Sequence, residues 1–326
     1  MDRISLSLGS GGKLMRDFLN DLILKYLDND RLNKLWDSAH LEIDGKVGFT
    51  TDSFVVTPHF FPGGDIGKLA VAGTVNDLVV SGIKPRFLSL ALILEEGFPI
   101  SSLEIILASI KRTALEAGVE IVTGDTKVVR KGEADGIYVN TAGIGEVIAR
   151  PERIEEGDLI VTTGPPGDHS VSIMVARGEF EFEGNVESDC QPMNSFLPSW
   201  KMGAKWMRDI TRGGLATILC ELSEGGLPVH VEEAKIQFSP PVRAVAEILG
   251  IDPLYLASEG KAVIVVSGAG VNDVLHFLKS VPIGRNSCII GKIGGMGKKG
   301  EVVLKTVSGG LRLLEPLTGE LLPRIC

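Results

Sequence analysis

Strand-like and helix-like segments alternate along most of this chain of 326 residues. The segments KVGFTTDSFVVTP, RFLSLALIL, VEIVTGDTKVV and GIYVNTAGIGEVI are rich in residues that favour strands. Around them, apolar residues recur at helical spacing in RDFLNDLILKY, GGDIGKLAVAGTVNDLVVSG and LEIILASIKRTALEAG. The last of these helices is expected to begin at Ser101-Ser102. The alternation predicts an α/β or α+β fold.

The sequence pattern changes near residue 152, where Pro151 and a charged turn precede a new apolar strand. The second part again alternates strand-like and helix-like segments, with strand KAVIVVSG among helices such as HSVSIMVARG, PPVRAVAEILG and GVNDVLHFLKS. A chain of this length suits two domains of ~150 residues each. We therefore predict an N-terminal domain over residues 1–151, a C-terminal α/β domain over residues 152–314 and a mobile tail over residues 315–326.

Composition excludes several classes of protein. The formal net charge is −9, and no cluster of basic residues is longer than Lys298-Lys299, so a nucleic acid would be repelled over most of the surface. The first residues lack a signal-peptide pattern, and the apolar stretch FLSLALIL is too short to span a membrane. We predict a cytoplasmic protein with neither a nucleic-acid nor a membrane partner.

The cysteines are widely spaced and form no CxxC pair, which disfavours zinc sites and a disulfide framework. Four free thiols are therefore expected, at Cys190, Cys220, Cys288 and Cys326. The apolar surroundings of Cys220 and Cys288 predict buried, inert side chains. Cys326, the last residue in LLPRIC, is expected to be exposed, on a tip that Pro323 stiffens.

Two glycine-rich segments resemble nucleotide-binding motifs without meeting their requirements. Residues 295–300 match GxGxxG, but they join two strand-like runs and open no helix, so a hairpin turn is favoured. The segment GGDIGKL lacks both the P-loop spacing and the Ser/Thr after the lysine.

Four aspartates lie at strand edges or beside small residues, where loops present ligands: Asp52 in TTDSF, Asp77 in VNDL, Asp125 in TGDTK and Asp209 in RDITRGG. Each alone could be an ordinary cap or turn residue. Together they favour a site for magnesium and a nucleotide, because Mg²⁺ takes a few hard oxygen ligands beside phosphates. Asp209 could instead cap the helix GGLATILCEL, whose N-terminus could also receive a phosphate.

Three further residues are candidates for proton transfer or binding. Lys127 follows Asp125 in GDTK, and Glu259 in ASEGK precedes a strongly apolar strand. Burial among apolar neighbours would shift the pKa of either side chain, as proton transfer requires. His169 in GDHSV is equally compatible with a residue at a helix start and with a site residue.

Several motifs occur together and in order: GSGGKLM, TTDSFVVTP, GKLAVAGTVNDLVVSGIKP, VTGDTKVV, RDITRGGL, ASEGK and the terminal PRIC. In this combination the chain resembles the HypE family of hydrogenase-maturation proteins, within the superfamily of aminoimidazole-ribonucleotide-synthetase-like ATP-binding enzymes. The resemblance implies a two-domain PurM-like fold and a homodimer whose N-terminal sheets join into a barrel. ATP and Mg²⁺ are then expected between the domains.

The resemblance also implies an activity. Members of the family accept a carbamoyl group on the C-terminal cysteine from a HypF-type carbamoyltransferase and dehydrate it with ATP to a thiocyanate. The cyanide then passes to a HypC–HypD complex that builds the iron centre of nickel-iron hydrogenase. Here the carbamoyl acceptor would be Cys326, and Lys127 and Glu259 match the positions suspected of handling protons.

The same resemblance assigns ligands for the nucleotide and the metal. The nucleotide-binding residues would be Asn76, Asp77, Asp125, Thr126 and Asp209. The metal ligands would be Asp37, Asp52, Asp77 and Asp209, with Asp37 standing in WDSAHLE, where relatives often have an acidic pair. The residues alone leave two other functions open: a synthase of the same superfamily that acts on a free small molecule, and a non-enzymatic carrier or scaffold.

Overall fold

A computed structural model describes residues 2–10, 12–178, 184–319, 322 and 324–326. The predicted effect of Pro323 therefore lies outside the described residues. The α-helices of the described chain are α1 (Gly12–Phe18), α2 (Leu24–Leu27), α3 (Ile66–Val80), α4 (Ile100–Ala117), α5 (Asp168–Arg177), α6 (Gly214–Ser223), α7 (Pro240–Leu249) and α8 (Val271–Ser280).

The strands alternate with these helices as the sequence predicts. In chain order they are β1 (Val47–Phe54), β2 (Phe60–Phe61), β3 (Gly64–Asp65), β4 (Ile83–Glu95), β5 (Glu120–Val129), β6 (Ile137–Val147), β7 (Leu159–Thr162), β8 (Ala204–Asp209), β9 (Val229–Glu232), β10 (Ala262–Val266), β11 (Cys288–Ile293), β12 (Val302–Lys305) and β13 (Leu311–Leu314).

The N-terminal sheet is four-stranded, in the order β1-β6-β4-β5, and helices α3 and α4 pack on one of its faces. Helix α3 begins after Asp65, whose carboxylate accepts hydrogen bonds from the backbone N–H groups of Gly67 and Lys68 at 2.8 and 3.0 Å. Because α3 lies between this sheet and the C-terminal domain, apolar side chains all around it are buried. The other face of the sheet is open, and Phe49 on it is 70% exposed.

The C-terminal sheet is seven-stranded, in the order β13-β12-β9-β11-β7-β10-β8. Strand β10, which lies between β7 and β8, is buried at every position because both faces of the sheet are covered there. Val263 and Val265 pack in the same cluster as the apolar residues of α6, whereas Ile264 and Val266 pack with those of α8. This packing explains why KAVIVVSG is continuously apolar and does not alternate.

The two sheets are separated by the segment between Val147 and Leu159. We propose that the domain boundary lies within it, at residues 151 and 152. No helix of the described chain is long and apolar enough to cross a membrane.

Several local predictions differ from the structure. The loop at residues 295–300 does join two strands, but it is not a hairpin turn, because β9 lies between β11 and β12 in the sheet. Helix α4 begins at Ile100, after Pro99, and has no side-chain cap, so the predicted start at Ser101-Ser102 is wrong. Strands β8, β9 and β13 were not predicted, since they have only four to six residues each, too few for a periodic pattern to stand out.

Candidate active site

Three aspartates from different elements converge where the N-terminal sheet, α3 and the C-terminal domain meet. Asp52 on β1 points to the α3 face, where its Oδ2 lies near Gly73 of that helix. Asp77 on α3 accepts a hydrogen bond from Thr50 Oγ1 at 3.0 Å. Asp209 is the last residue of β8, which contacts α3. Asp209 does not cap α6, because that helix begins after Gly213.

Burial and mutual repulsion make these aspartates easier to protonate than ordinary carboxylates. Burial, and next the charge of Asp77, raise the pKa of Asp209 to about 7. Burial and then Asp77 also raise the pKa of Asp52. Burial raises the pKa of Asp77, although the hydrogen bond from Thr50 opposes the shift. A nearby positive charge would therefore stabilise the ionised form of these aspartates.

This donor set suits a Mg²⁺ ion that a nucleotide brings with it. Within the described part of the chain, no three His, Cys, Asp or Glu side chains are arranged so that they could hold a metal ion by themselves. Mg²⁺ does not require such a cage, since it is commonly held by one or two carboxylates together with phosphates and water. The mutually repelling pair Asp52 and Asp77 fits that mode of binding.

The aspartate group predicts an unusual pH dependence of stability. A carboxyl group whose folded pKa is raised stabilises the fold below its ordinary pKa, and this contribution is lost as the pH rises through the raised value. For Asp209 the window runs from 3.8 to about 7. We expect its contribution to the free energy of unfolding of the nucleotide-free protein to fall by on the order of 4 kcal/mol across this window. Urea unfolding at several pH values would measure the fall, and Asp209→Asn should reduce it; an unchanged profile in the variant would refute the assignment.

Glu259 lies in the loop before β10 and is fully buried beside the aspartates. Its backbone N–H donates to Asp189 Oδ1 at 3.0 Å, and its carbonyl oxygen accepts from Asn76 Nδ2 at 3.1 Å. Burial, and next the charges of Asp209 and Asp189, raise the pKa of Glu259 well above its ordinary value. A carboxylate with a raised pKa in a closed site is the kind of group that accepts a proton in catalysis.

Asn76, expected to bind the nucleotide, has its amide engaged in contacts between the domains. Its Nδ2 also donates to the carbonyl oxygen of Gln191 at 3.1 Å, and its Oδ1 accepts from Met193 N at 2.7 Å. The side chain thus joins α3 to the segment before residue 194 and to the Glu259 loop. In this arrangement both polar atoms of the Asn76 side chain are engaged by backbone groups.

The terminal thiol is buried at this same site. Arg212 Nε donates a hydrogen bond to Cys326 Sγ at 2.9 Å. Burial, and next the charge of Glu259, raise the pKa of the Cys326 thiol to about 12, although Arg212 opposes the shift. The expectation of an exposed Cys326 is therefore wrong, because the end of the chain folds back against the N-terminal domain. All four cysteines are free thiols, as expected, but Cys220 and Cys288 keep part of their surface exposed.

The end of the tail is held by main-chain and side-chain contacts to both domains. The N–H groups of Val55 and Thr57 donate to the carbonyl oxygens of Cys326 and Arg324, at 3.3 and 3.2 Å. The Arg324 guanidinium bonds to Asp135 Oδ2 at 2.7 Å and lies 5.9 Å from the centre of the Tyr138 ring. The structure thus shows where the thiol lies when the tail is docked.

Four other predicted site residues lie away from this group. Asp125 and Lys127 form an ion pair with 3.4 Å between Oδ2 and Nζ, on the open face of the sheet, and the Lys127 side chain is 67% exposed. Lys127 therefore lacks, in the single chain, the burial on which its expected part in proton transfer depends. Thr126 is buried on the opposite face, and Asp37 is exposed in the loop before β1.

Sequence reasoning missed three residues that the structure places here, namely Arg212, Asp189 and Asp135. Arg212 lies inside the quoted motif RDITRGGL, and an arginine within a candidate phosphate-binding segment was a usable signal. Asp189 and Asp135 lie in irregular segments with no motif, and only the folded chain brings them to Glu259 and Arg324.

Comparison with known proteins identifies the family. Residues 36–147 match the family model of the N-terminal domain of AIR synthase related proteins, and residues 155–304 match that of the C-terminal domain. A protein of Rhodobacter capsulatus named carbamoyl dehydratase HypE is 41% identical over 336 residues, covering 100% of this chain and 98% of its own length. The chain belongs to the HypE family.

Solved structures of HypE proteins share the fold. A crystal structure of the hydrogenase maturation protein HypE in complex with ATP aligns with a TM-score of 0.94 and 41% identity, over 99% of each chain. A chain in the crystal structure of a HypE–HypF complex aligns with a TM-score of 0.80 and 39% identity, over 92% of this chain and 99% of that one. The PurM-like two-domain fold predicted from the sequence is thus confirmed.

Proposed function

We propose that this protein uses ATP to dehydrate a carbamoyl group carried on Cys326 to a thiocyanate, which supplies cyanide for the iron centre of nickel-iron hydrogenase. The observation that carries the proposal is the docking of the Cys326 thiol against Arg212, beside Glu259 and the aspartate group. Membership of the HypE family supports it, as do the carbamoyl dehydratase name of the relative and the ATP complex of the structural neighbour.

The chemistry requires an oxygen atom to leave an amide-like carbon. The carbamoyl oxygen attacks the γ-phosphorus of ATP, ADP leaves, and the oxygen becomes part of a phosphate ester. The C–O bond then breaks, inorganic phosphate departs with the oxygen, and the nitrogen loses both of its protons, one to Glu259 and one to the departing phosphate, as the C≡N bond forms. The products are the thiocyanate, ADP and phosphate, and the tail is lighter by one water.

The residues at the tail have distinct parts in this proposal. Asp52 and Asp77, with Asp209, would hold Mg²⁺, which supplies charge neutralisation at the phosphates when it is bound. Arg212 holds the sulphur of Cys326 and keeps a positive charge beside the reacting group. Glu259 accepts a proton from the nitrogen, for which its buried, electrostatically strained carboxyl is suited.

Carbamoylation requires the tail to leave this site, because the docked thiol is buried. We propose that the tail moves between the docked position and a HypF-type carbamoyltransferase, in line with the known structure of a HypE–HypF complex. A HypC–HypD complex is the proposed acceptor of the cyanide. We also propose a cytoplasmic location, since free thiols persist in a reducing compartment.

We further propose a homodimer that covers the open face of the N-terminal sheet. Phe49 and Val47 on β1 are 70% and 47% exposed there, and Ile93 on β4 is 40% exposed. Exposed apolar side chains on one face of a sheet favour contact with another protein surface. Dimerisation would also bury Asp125 and Lys127, which lie on this face, and so place them beside a second subunit.

The dimer is tested by placing a charge on the open face of the N-terminal sheet. Phe49→Asp is expected to shift the protein from dimer to monomer in sedimentation equilibrium, because a carboxylate in an apolar interface is costly to desolvate. Leu115→Asp is the control, since Leu115 is 72% exposed on α4, on the other side of the sheet. A Phe49→Asp protein that remained dimeric would refute the proposed interface.

The activity is tested by intact-mass analysis of the full chain after incubation with carbamoyl phosphate, a HypF-type carbamoyltransferase and MgATP. The C-terminal peptide should gain a carbamoyl group and then lose one water, while ADP forms in equal amount. ATP hydrolysis without this loss of water would point to a free small-molecule substrate. A carbamoylated tail that stayed unchanged with bound ATP would favour a carrier.

A further inference from the structure

One buried histidine connects the body of the protein to the last peptide unit of the tail. His169 is the second residue of α5, and its side chain is fully buried. Its Nε2 lies 2.6 Å from the carbonyl oxygen of Ile325, and its Nδ1 lies 2.8 Å from Ser188 Oγ. The sequence left its role undecided, and the activity as described above does not use it.

These contacts determine which ring nitrogen bears the proton. A carbonyl oxygen can only accept, so Nε2 must donate its hydrogen to Ile325. Ser188 Oγ accepts the backbone N–H of Cys190 at 3.0 Å, which leaves its own hydrogen free to be donated to His169 Nδ1. Burial lowers the pKa of His169, so its neutral form is favoured. The ring is thus set as a single, directed donor towards the tail.

Packing prevents the ring from turning away. The edge of the His169 ring meets Phe61 at an interplanar angle of 86°, with the ring centroids 5.4 Å apart. Ser188 is itself tied to the N-terminal domain, because its backbone N–H donates to the carbonyl oxygen of Pro62 at 2.8 Å. The donor is therefore held in place before the tail arrives.

The bonded carbonyl group belongs to the peptide that precedes Cys326. The bond from His169 therefore holds the peptide from which the N–Cα bond of Cys326 starts, and Arg212 Nε holds the sulphur at 2.9 Å. We propose that His169, oriented by Ser188, is the positioning residue that docks the tail and places the Cys326 sulphur in the reacting position. The link to catalysis rests on the proposed function, whereas the docking itself does not.

Two amide replacements of similar size separate this role from a general effect on packing. In His169→Gln the amide nitrogen can reach the place of Nε2 and restore the bond to Ile325, whereas in His169→Asn it reaches only the place of Nδ1. The probe is N-ethylmaleimide on the full-length, nucleotide-free protein, with labelling of each cysteine followed by peptide mass. Losing one buried hydrogen bond is expected to raise the labelling rate of Cys326 about ten-fold in His169→Asn. His169→Gln should return most of the way to the unaltered rate.

Cys288 provides an internal control, because its Sγ contacts Thr162 and the carbonyl oxygen of Lys235 and neither His169 nor the described residues of the tail. Its labelling rate should be the same in all three proteins. Equal Cys326 labelling in His169→Asn and the unaltered protein would overturn the inference. It would equally be overturned if His169→Gln behaved like His169→Asn, or if Cys288 labelling rose in parallel and so revealed general unfolding.

A second measurement connects docking to the reaction. In a single turnover of the carbamoylated protein with MgATP, His169→Asn should lose water about ten-fold more slowly, and His169→Gln should recover. An unaltered protein that never lost water would refute the proposed function while the labelling pattern still decided the docking. Normal dehydration by His169→Asn, together with increased labelling, would refute the catalytic part alone.

Discussion

Replacing Cys326 by serine is expected to abolish ATP-dependent dehydration while leaving ATP binding unchanged. The sulphur atom bears the carbamoyl group, and a serine hydroxyl is far too weak a nucleophile to accept it without a base that activates it. The replacement is nearly isosteric, and the contact with Arg212 Nε can persist with oxygen as the acceptor. The measurement is the mass of the C-terminal peptide after incubation with the carbamoyltransferase and MgATP, together with ADP release.

Cys288→Ser is the matched control, because Cys288 is also a free thiol and is partly exposed. Its Sγ bonds to the carbonyl oxygen of Lys235, which lies shortly after β9 in the C-terminal domain. This variant should carbamoylate and dehydrate its tail at the normal rate. Continued ATP-dependent product formation by Cys326→Ser would show that the substrate is a free molecule, and the proposed role of the tail would be wrong.

Periodicity predicted most of the fold because its elements are long and locally consistent. Helix α3 ends at Val80, directly before Ser81 and Gly82, the last residues of the segment with helical spacing. Helix α4 ends at Ala117, and Gly118 follows it with φ of 66°, a left-handed conformation that glycine adopts at little cost. Short strands such as β8 and β9 have too few residues for a pattern, and only their neighbours in the sheet define them.

The candidate site was predicted only in part, and the reason is geometric. A motif reveals that a residue such as Asp52 lies on a strand, but the face on which it lies depends on the strand's partner. Asp52 pairs with the buried Thr141 and faces α3, whereas Asp125 pairs with Ala91 and lies on the open face. The burial of Cys326 could not be predicted from a local motif either, since it depends on contacts with residues more than 100 positions away.

Arg212 links the buried carboxylates to the docked tail through electrostatic interactions. With the thiol docked, Arg212 interacts with Cys326, Asp52 and Glu259, so one guanidinium moderates the charge of all three groups. If the tail leaves as proposed, the carboxylates would keep Arg212 but lose the cover that the tail provides. Docking would then dehydrate the site when the proposed reacting group arrives, and dehydration strengthens the interactions there.

Glu259→Gln is expected to slow dehydration of the carbamoylated tail by about 10²- to 10⁴-fold, because an amide cannot accept the proton that leaves the nitrogen. The variant should fold, since Glu259 is held through its backbone by Asp189 and Asn76, and loss of a buried acid removes repulsion with Asp209.

In the unaltered protein the single-turnover rate should rise with pH as the raised pKa of Glu259 is passed, whereas the residual rate of the variant should not show this rise. Glu247→Gln, an exposed replacement on α7, should leave both rate and profile unchanged. A normal rate in Glu259→Gln would transfer the role of base to another group, of which Lys127 from a second subunit is the first to test by Lys127→Met.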